Sequence, residues 1–227
     1  MAIAIARDAL GRIFLQRCFY LFVALMLLVA GAPLIEPTPT GRLTLNIVNL
    51  LVVVATVATV GLSMLSFVIA LLLAAPTLAF QWLALTTGQP ELFMWSWAFA
   101  AGLYFATLAY LLGYVFRRDV MTGDKLWGAA AAYLMIGVLW AYLYALVEYF
   151  YPSSFAVGGV PAAAFSASEL FYFSFTVLTS TGFGDLTPLS RQARSLCTVE
   201  QVVGALFVAI LIARLAGVYP PRQREIE

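Results

Sequence analysis

Residues 179–185 read Thr-Ser-Thr-Gly-Phe-Gly-Asp. Glycines at 182 and 184 let alternate residues take backbone angles closed to ordinary side chains. A chain alternating in this way can turn a row of carbonyl oxygens to one side, with a hydroxyl at one end. The chemistry open to such a row is replacement of a bare cation's water shell by backbone dipoles. Other chemistry is thinly provided. Histidine is absent, which removes the commonest metal ligand and the usual catalytic base. Cys18 and Cys197 are isolated in apolar surroundings. They read as buried small hydrophobes, not as a metal cluster or a disulfide framework. No catalytic residue and no cofactor are assigned, and an enzyme is not expected.

The surrounding composition decides whether the seven residues are more than a turn. Of 227 residues, 63% are hydrophobic and 10% charged, with mean hydropathy +0.97. Soluble domains carry about 25% charged residues. A chain this poor in charge cannot cover a water-facing surface, so a membrane protein is expected. The net charge of +1 and the lack of a basic run exclude nucleic acid as an expected partner.

Six spans fit the hydropathy. A crossing helix needs about 20 mostly apolar residues. The first expected span covers residues 15–34; its apolar stretch is longer than that of a cleaved signal. The uncharged run 43–90 would measure roughly 72 Å as one helix, so it is divided into spans at 43–61 and 64–86, turning near Gly61–Ser63. Spans at 92–116, 126–149 and 195–216 complete the set. Charge supports the count, because Lys and Arg favour the cytoplasmic side of short loops. With the N-terminus inside, Arg7, Arg12, Arg17, Arg117, Arg118, Lys125, Arg214, Arg222 and Arg224 fall inside. Only Arg42, Arg191 and Arg194 fall outside. Merging 43–86 into one span would spoil that bias. Both termini are therefore expected in the cytoplasm of a multi-pass plasma-membrane protein, with no room for a folded cytoplasmic domain.

Between spans five and six the chain becomes small and polar, then reads SASELFYFSFTVLT at 166–179. Ser168 is a plausible helix cap, and Glu169 would lie at the positive end of the helix. The apolar run from Leu170 to Leu178 is too short to span but long enough for a re-entrant helix. Non-helical backbone at membrane depth is tolerated where it is buried in protein or lines a water-filled cavity. A short helix aiming its C-terminus at a glycine-bearing segment meets that condition if it lines a pore. Rings of carbonyls from four chains can then strip and hold potassium.

The stretch 179–188, TSTGFGDLTP, closely resembles the signature of the potassium channel superfamily, usually Thr-Thr-Val-Gly-Tyr-Gly-Asp. The likeness, to bacterial-type six-span subunits with one pore loop, covers about residues 126–217. It implies an all-α membrane fold with six transmembrane helices, a re-entrant pore helix and a selectivity filter. Residues 1–125 would form a peripheral region and 126–217 the pore domain. The pore domain would hold an outer helix 126–149, pore helix 168–179, filter 180–184 and inner helix 195–216, and 218–227 would be a short tail. On this resemblance the carbonyls of Ser180, Thr181, Gly182, Phe183 and Gly184 coordinate potassium as the permeant ion. Ser180 keeps the usual hydroxyl but lacks a methyl, Thr181 replaces valine, and Phe183 lacks the tyrosine hydroxyl. Phe173 stands where tryptophan is common, and it cannot donate to Asp185 as tryptophan does. Tight packing by Phe171, Tyr172, Phe173 and Phe175 would compensate.

Two residues of the last span stand out. Gly204 is either a gating hinge, as the resemblance implies, or a close helix contact. Glu200 is an ionisable residue inside a span, expected to bond behind the filter to Thr176, Thr179 or Ser180, the alternative being a charge that faces the pore. Span four carries no arginine, so a voltage sensor of the usual kind is not expected. The tryptophans and outer tyrosines read as belt or packing residues. The leading function is passive potassium permeation by a homotetramer among membrane lipids, with a small-molecule or lipid regulator left open. The alternatives are an ion-coupled transporter with a broken helix and a non-conducting membrane scaffold.

Overall fold

Pro90 shows how local sequence sets the helix boundaries. Proline lacks an N–H, and the first helical position needs none. In a computed structural model of the chain, Pro90 opens a 26-residue helix immediately after the Gly88-Gln89 break. Residues 17–31, 52, 64–117, 122–161 and 165–218 are described. They form α1 (Arg17–Gly31), α2 (Met64–Thr87), α3 (Pro90–Val115), α4 (Gly123–Phe150), α5 (Ala167–Leu178) and α6 (Arg191–Val218). The expected second span at 43–61 and the turn before Met64 lie outside the described residues, as does the tail beyond Val218.

Among the described residues, four helices are long and apolar enough to cross a membrane: Phe67–Thr87, Pro90–Val115, Gly123–Phe150 and Arg191–Ala216. The chain is a multi-span helical membrane protein. The last helix starts four residues earlier than the expected 195, so Arg191 and Arg194 belong to its first turn. The described part of the first span, Cys18–Gly31, is shorter.

Helix α4 is the hub. It packs against α1, α3, α5 and α6, and α2 packs against α3. Its buried face is rich in small residues, including Ala129, Ala131, Ala132, Gly137, Ala141 and Ala145, which let neighbouring backbones come close. Polar groups fasten the ends. Asp124, in the first turn of α4, accepts from the Tyr114 hydroxyl of α3 (2.9 Å) and from the Cys18 N–H of α1 (3.2 Å). Between α2 and α3, the Ser96 hydroxyl donates to the Thr77 carbonyl at 3.1 Å. Cys18 and Cys197 are buried and free, as expected.

The all-α expectation missed a small sheet. Strands β1 (Phe155–Val157), β2 (Val160–Pro161) and β3 (Leu186–Pro188) form an antiparallel sheet of order β2-β1-β3. Gly158 and Gly159 both have positive φ, 57° and 82°, as a two-residue hairpin turn requires. Ala156 pairs with Pro161 on one side and Thr187 on the other. The sheet thus ties the chain leaving residues 179–185 to the chain entering α5. Strands of two or three residues give too little alternation to be read from sequence.

The cap of α5 is also corrected. Ser166, not Ser168, precedes the helix: its hydroxyl accepts from the Glu169 N–H at 3.2 Å, and the Glu169 carboxylate accepts from the Ser166 N–H at 2.7 Å. This is a reciprocal capping box. Glu169 does lie in the first turn, as expected. Ser168 is buried and bonded to the Ser166 hydroxyl at 3.0 Å. Ser166→Ala is expected to cost about 1 kcal/mol and Ser168→Ala less, read by thermal unfolding in detergent. Equal losses would contradict this placement of the cap.

Candidate functional site

The site is built where α5 ends. A helix C-terminus has carbonyls without intrahelical donors, and here the following segment supplies donors. The N–H of Ser180 donates to the Val177 carbonyl at 2.9 Å, and those of Thr181 and Gly182 donate to the Thr176 carbonyl at 2.9 and 3.2 Å. The segment is thus folded back on the helix that precedes it. Its φ values are positive at Ser180 (56°), Gly182 (55°) and Gly184 (80°) but not at Thr181 or Phe183. The alternation expected from the two glycines is present, and it extends to Ser180. A non-glycine residue in the left-handed region costs roughly 1–3 kcal/mol unless its surroundings hold it. The N–H bond of Ser180 itself and those of the two residues after it tie that position to α5.

The side chains at 181 and 183 turn toward α5. The Thr181 hydroxyl lies 2.8 Å from that of Thr179, which itself donates to the Phe175 carbonyl at 2.7 Å. The Phe183 ring stacks on Tyr172, with centroids 6.2 Å apart and planes inclined by 7°. Among the described residues, no hydrogen bond ends on the carbonyl oxygens of Ser180 to Gly184. The N–H groups of Ser180, Thr181 and Gly182 face α5, while the carbonyls of 180–184 have no donor among the described residues. Thr179 to Asp185 are exposed on the single chain, Phe183 by 69%.

Asp185 has a donor that the sequence reading missed. The Tyr172 hydroxyl donates to its carboxylate at 2.8 Å. Phe173 indeed makes no such bond; its ring is buried between Tyr144 and Phe155, at 5.1 and 5.3 Å between centroids. A phenol one position before the expected tryptophan was the available signal. The Asp185 carbonyl also accepts from the Gly158 N–H at 2.9 Å, beside the sheet. Phe171 packs edge-on to Tyr142, and Phe175 presses on Gly137, where an added Cβ would stand 2.6 Å from its ring.

Glu200 is fully buried, but its partners are not those expected. Its carboxyl group faces Ser174 Oγ at 2.5 Å and the Tyr144 hydroxyl. Thr176 instead donates its hydroxyl to the Phe173 carbonyl, and Thr179 donates to the Phe175 carbonyl. Helical geometry explains the difference: Thr176 and Thr179 satisfy their hydroxyls on the preceding turn of α5. Ser174 presents its own to α4 and α6. Ser174 and Tyr144 carried no sequence signal beyond being polar in apolar runs.

Gly204 sits against the end of α5. A Cβ there would collide with the Leu178 carbonyl oxygen and come within 2.9 Å of Leu178 Cδ1. Helix α6 is continuous from Arg191 to Val218. This geometry supports the close-contact reading of Gly204.

Residues 131–219, less than half of the chain, match a family model described as "Ion channel". The chain is a channel-like membrane protein. The matched family is one of transport proteins, not enzymes. The match takes in most of α4 together with α5, the 179–185 segment and α6. No curated protein and no solved structure matches the chain.

Gly204→Ala is expected to destabilise the protein by about 1–3 kcal/mol, because a backbone carbonyl cannot step aside as a side chain can. Gly137→Ala, which meets the tip of a partly exposed ring, is expected to cost less. Unfolding temperatures of the two variants in one detergent would check the order; a neutral Gly204→Ala would remove the contact as the reason for glycine.

Proposed function

We propose that the protein conducts potassium passively and selectively through a pore at the centre of a homotetramer, with Ser180 to Gly184 as its filter. One observation carries the reading: the backbone alternates at 180, 182 and 184, the N–H groups of Ser180, Thr181 and Gly182 bond to α5, and among the described residues no donor reaches the carbonyls of 180–184. Such a strand needs a cation and neighbouring strands to complete it. A carbonyl ring around an ion uses four strands, and each chain contributes one. Closed rotational symmetry is how identical chains assemble such a ring. The exposure of Thr179 to Asp185 on one chain supports a neighbour there.

In this reading α4 is the outer helix, α5 the pore helix and α6 the inner helix lining a cavity. The Ser180 hydroxyl lies at the cytoplasmic end of the filter. Thr176, Thr179 and Asp185 support the filter through the bonds described above. Both termini lie in the cytoplasm, and the first four spans are peripheral. Helix α3 holds no Lys or Arg from Pro90 to Val115, so opening is not driven by a charged sensor of the familiar kind. A small regulator or lipid could act on the peripheral helices.

Reconstitution into liposomes tests the function. Current reversing at the potassium equilibrium potential is expected, and flux coupled to a second solute would favour a transporter. Gly182→Ala should abolish potassium current while the assembly still forms; unchanged potassium-over-sodium selectivity in that variant would exclude the filter. Mass measurement of the intact complex should give four chains, and a functional dimer would overturn the assembly. Tyr172→Phe should speed the decline of current under constant drive about 2- to 10-fold, since a hydrogen bond contributes about 0.5–1.5 kcal/mol. An unchanged time course would remove the Asp185 bond from filter support.

A further inference from the structure

We propose that Glu200 is held as a neutral carboxylic acid and that in this form it positions the pore helix against the outer and inner helices. Three close oxygen pairs meet at this point. Ser174 Oγ lies 2.7 Å from the Gly137 carbonyl and 2.5 Å from Glu200 Oε1, and the Tyr144 hydroxyl contacts Glu200 Oε2. Each pair needs a proton between its oxygens. The two hydroxyls supply one each, and the carbonyl supplies none. The third proton must belong to the carboxyl group. Ser174 then donates to Gly137, Tyr144 donates to Oε2, and Oε1 donates to Ser174.

The surroundings point the same way. Glu200, Ser174 and Tyr144 are each 0% exposed. Among the described residues, the ionisable neighbours of Glu200 are Tyr144 and Tyr133 on α4 and Cys197 on α6, with no lysine or arginine among them. A buried carboxylate without a cation is costly, whereas a neutral acid with every oxygen bonded is not. The three bonds join α4, α5 and α6. They do so two residues before Thr176, whose carbonyl holds the N–H groups of Thr181 and Gly182. Glu200 touches no filter residue directly; its effect passes through Ser174 and α5. The positioning role rests on the pore reading above, but the protonation state does not.

Infrared difference spectroscopy of the full-length wild type against Glu200→Gln, at neutral pH in lipid, tests the proton. The stretch of a protonated carboxyl group is expected in the wild type and absent from the variant. Loss of a carboxylate band instead would overturn the assignment. Should Glu200→Gln not fold, wild type labelled with ¹³C-glutamate gives the same answer, since exposed glutamates are ionised at that pH. Potassium flux and unfolding temperature test the role. Glutamine offers one donor and one acceptor in the same places, so Glu200→Gln should keep flux within about threefold of wild type, against a loss of tenfold or more in Glu200→Ala. Equal losses in both variants would overturn the neutral-acid role. If wild type itself passes no potassium, the pore reading fails, and the infrared band still decides the proton.

Discussion

The carbonyls at the end of a helix have no intrahelical donors and need partners from outside the helix. That constraint organises the region after α5. The carbonyls that the helix end leaves free are those of its last turn, and the next residues return their N–H groups to them. Thr176 accepts two such bonds and Val177 one. With the N–H groups of Ser180, Thr181 and Gly182 committed to α5, the carbonyls of Ser180 to Gly184 still have no donor among the described residues. Everything else nearby holds α5 still, since a shift of that helix would carry the donors away from their acceptors.

Three contacts fix the helix. The ring of Phe175 occupies the space over Gly137 on α4, and the Leu178 carbonyl occupies the space over Gly204 on α6. Both depend on the absence of a side chain, which lets helices approach where no hydrophobic force draws them together. The third is polar: Ser174, Tyr144 and Glu200 meet away from solvent. The sheet secures the other end of the segment, pairing Leu186–Pro188 with Phe155–Val157. The 179–185 backbone is therefore held at both ends by elements distant in sequence. The aromatic stack of Phe183 on Tyr172 supports it between them.

The helices before α4 are joined to this core differently. Helix α3 lies along α4, while α2 reaches it through α3. Asp124 receives bonds from both α1 and α3 at the start of α4. At the far end of the chain, Arg214 donates to the carbonyls of Phe116 and Arg117 just after α3. These bonds link the chain just after α3 to the end of α6.

What the sequence determined by itself was whatever is encoded by neighbours along the chain. Hydropathy located α2, α3, α4 and α6 to within a few residues, because a crossing length is a local property. The glycine pair indicated the alternating backbone, since positive φ is a local steric requirement. The short run before it indicated α5, and the acid at 169 its positive end. Tertiary structure decided the rest. Ser166 became the cap through the geometry of the loop preceding α5, and the sheet arose from pairing across thirty residues. Asp185 found Tyr172, and Glu200 found Ser174 and Tyr144 instead of the threonines, because helix packing set which hydroxyls were free to meet it. The same packing put Gly204 against a carbonyl. Side-chain partners across helices depend on rotation and depth, which no single segment encodes.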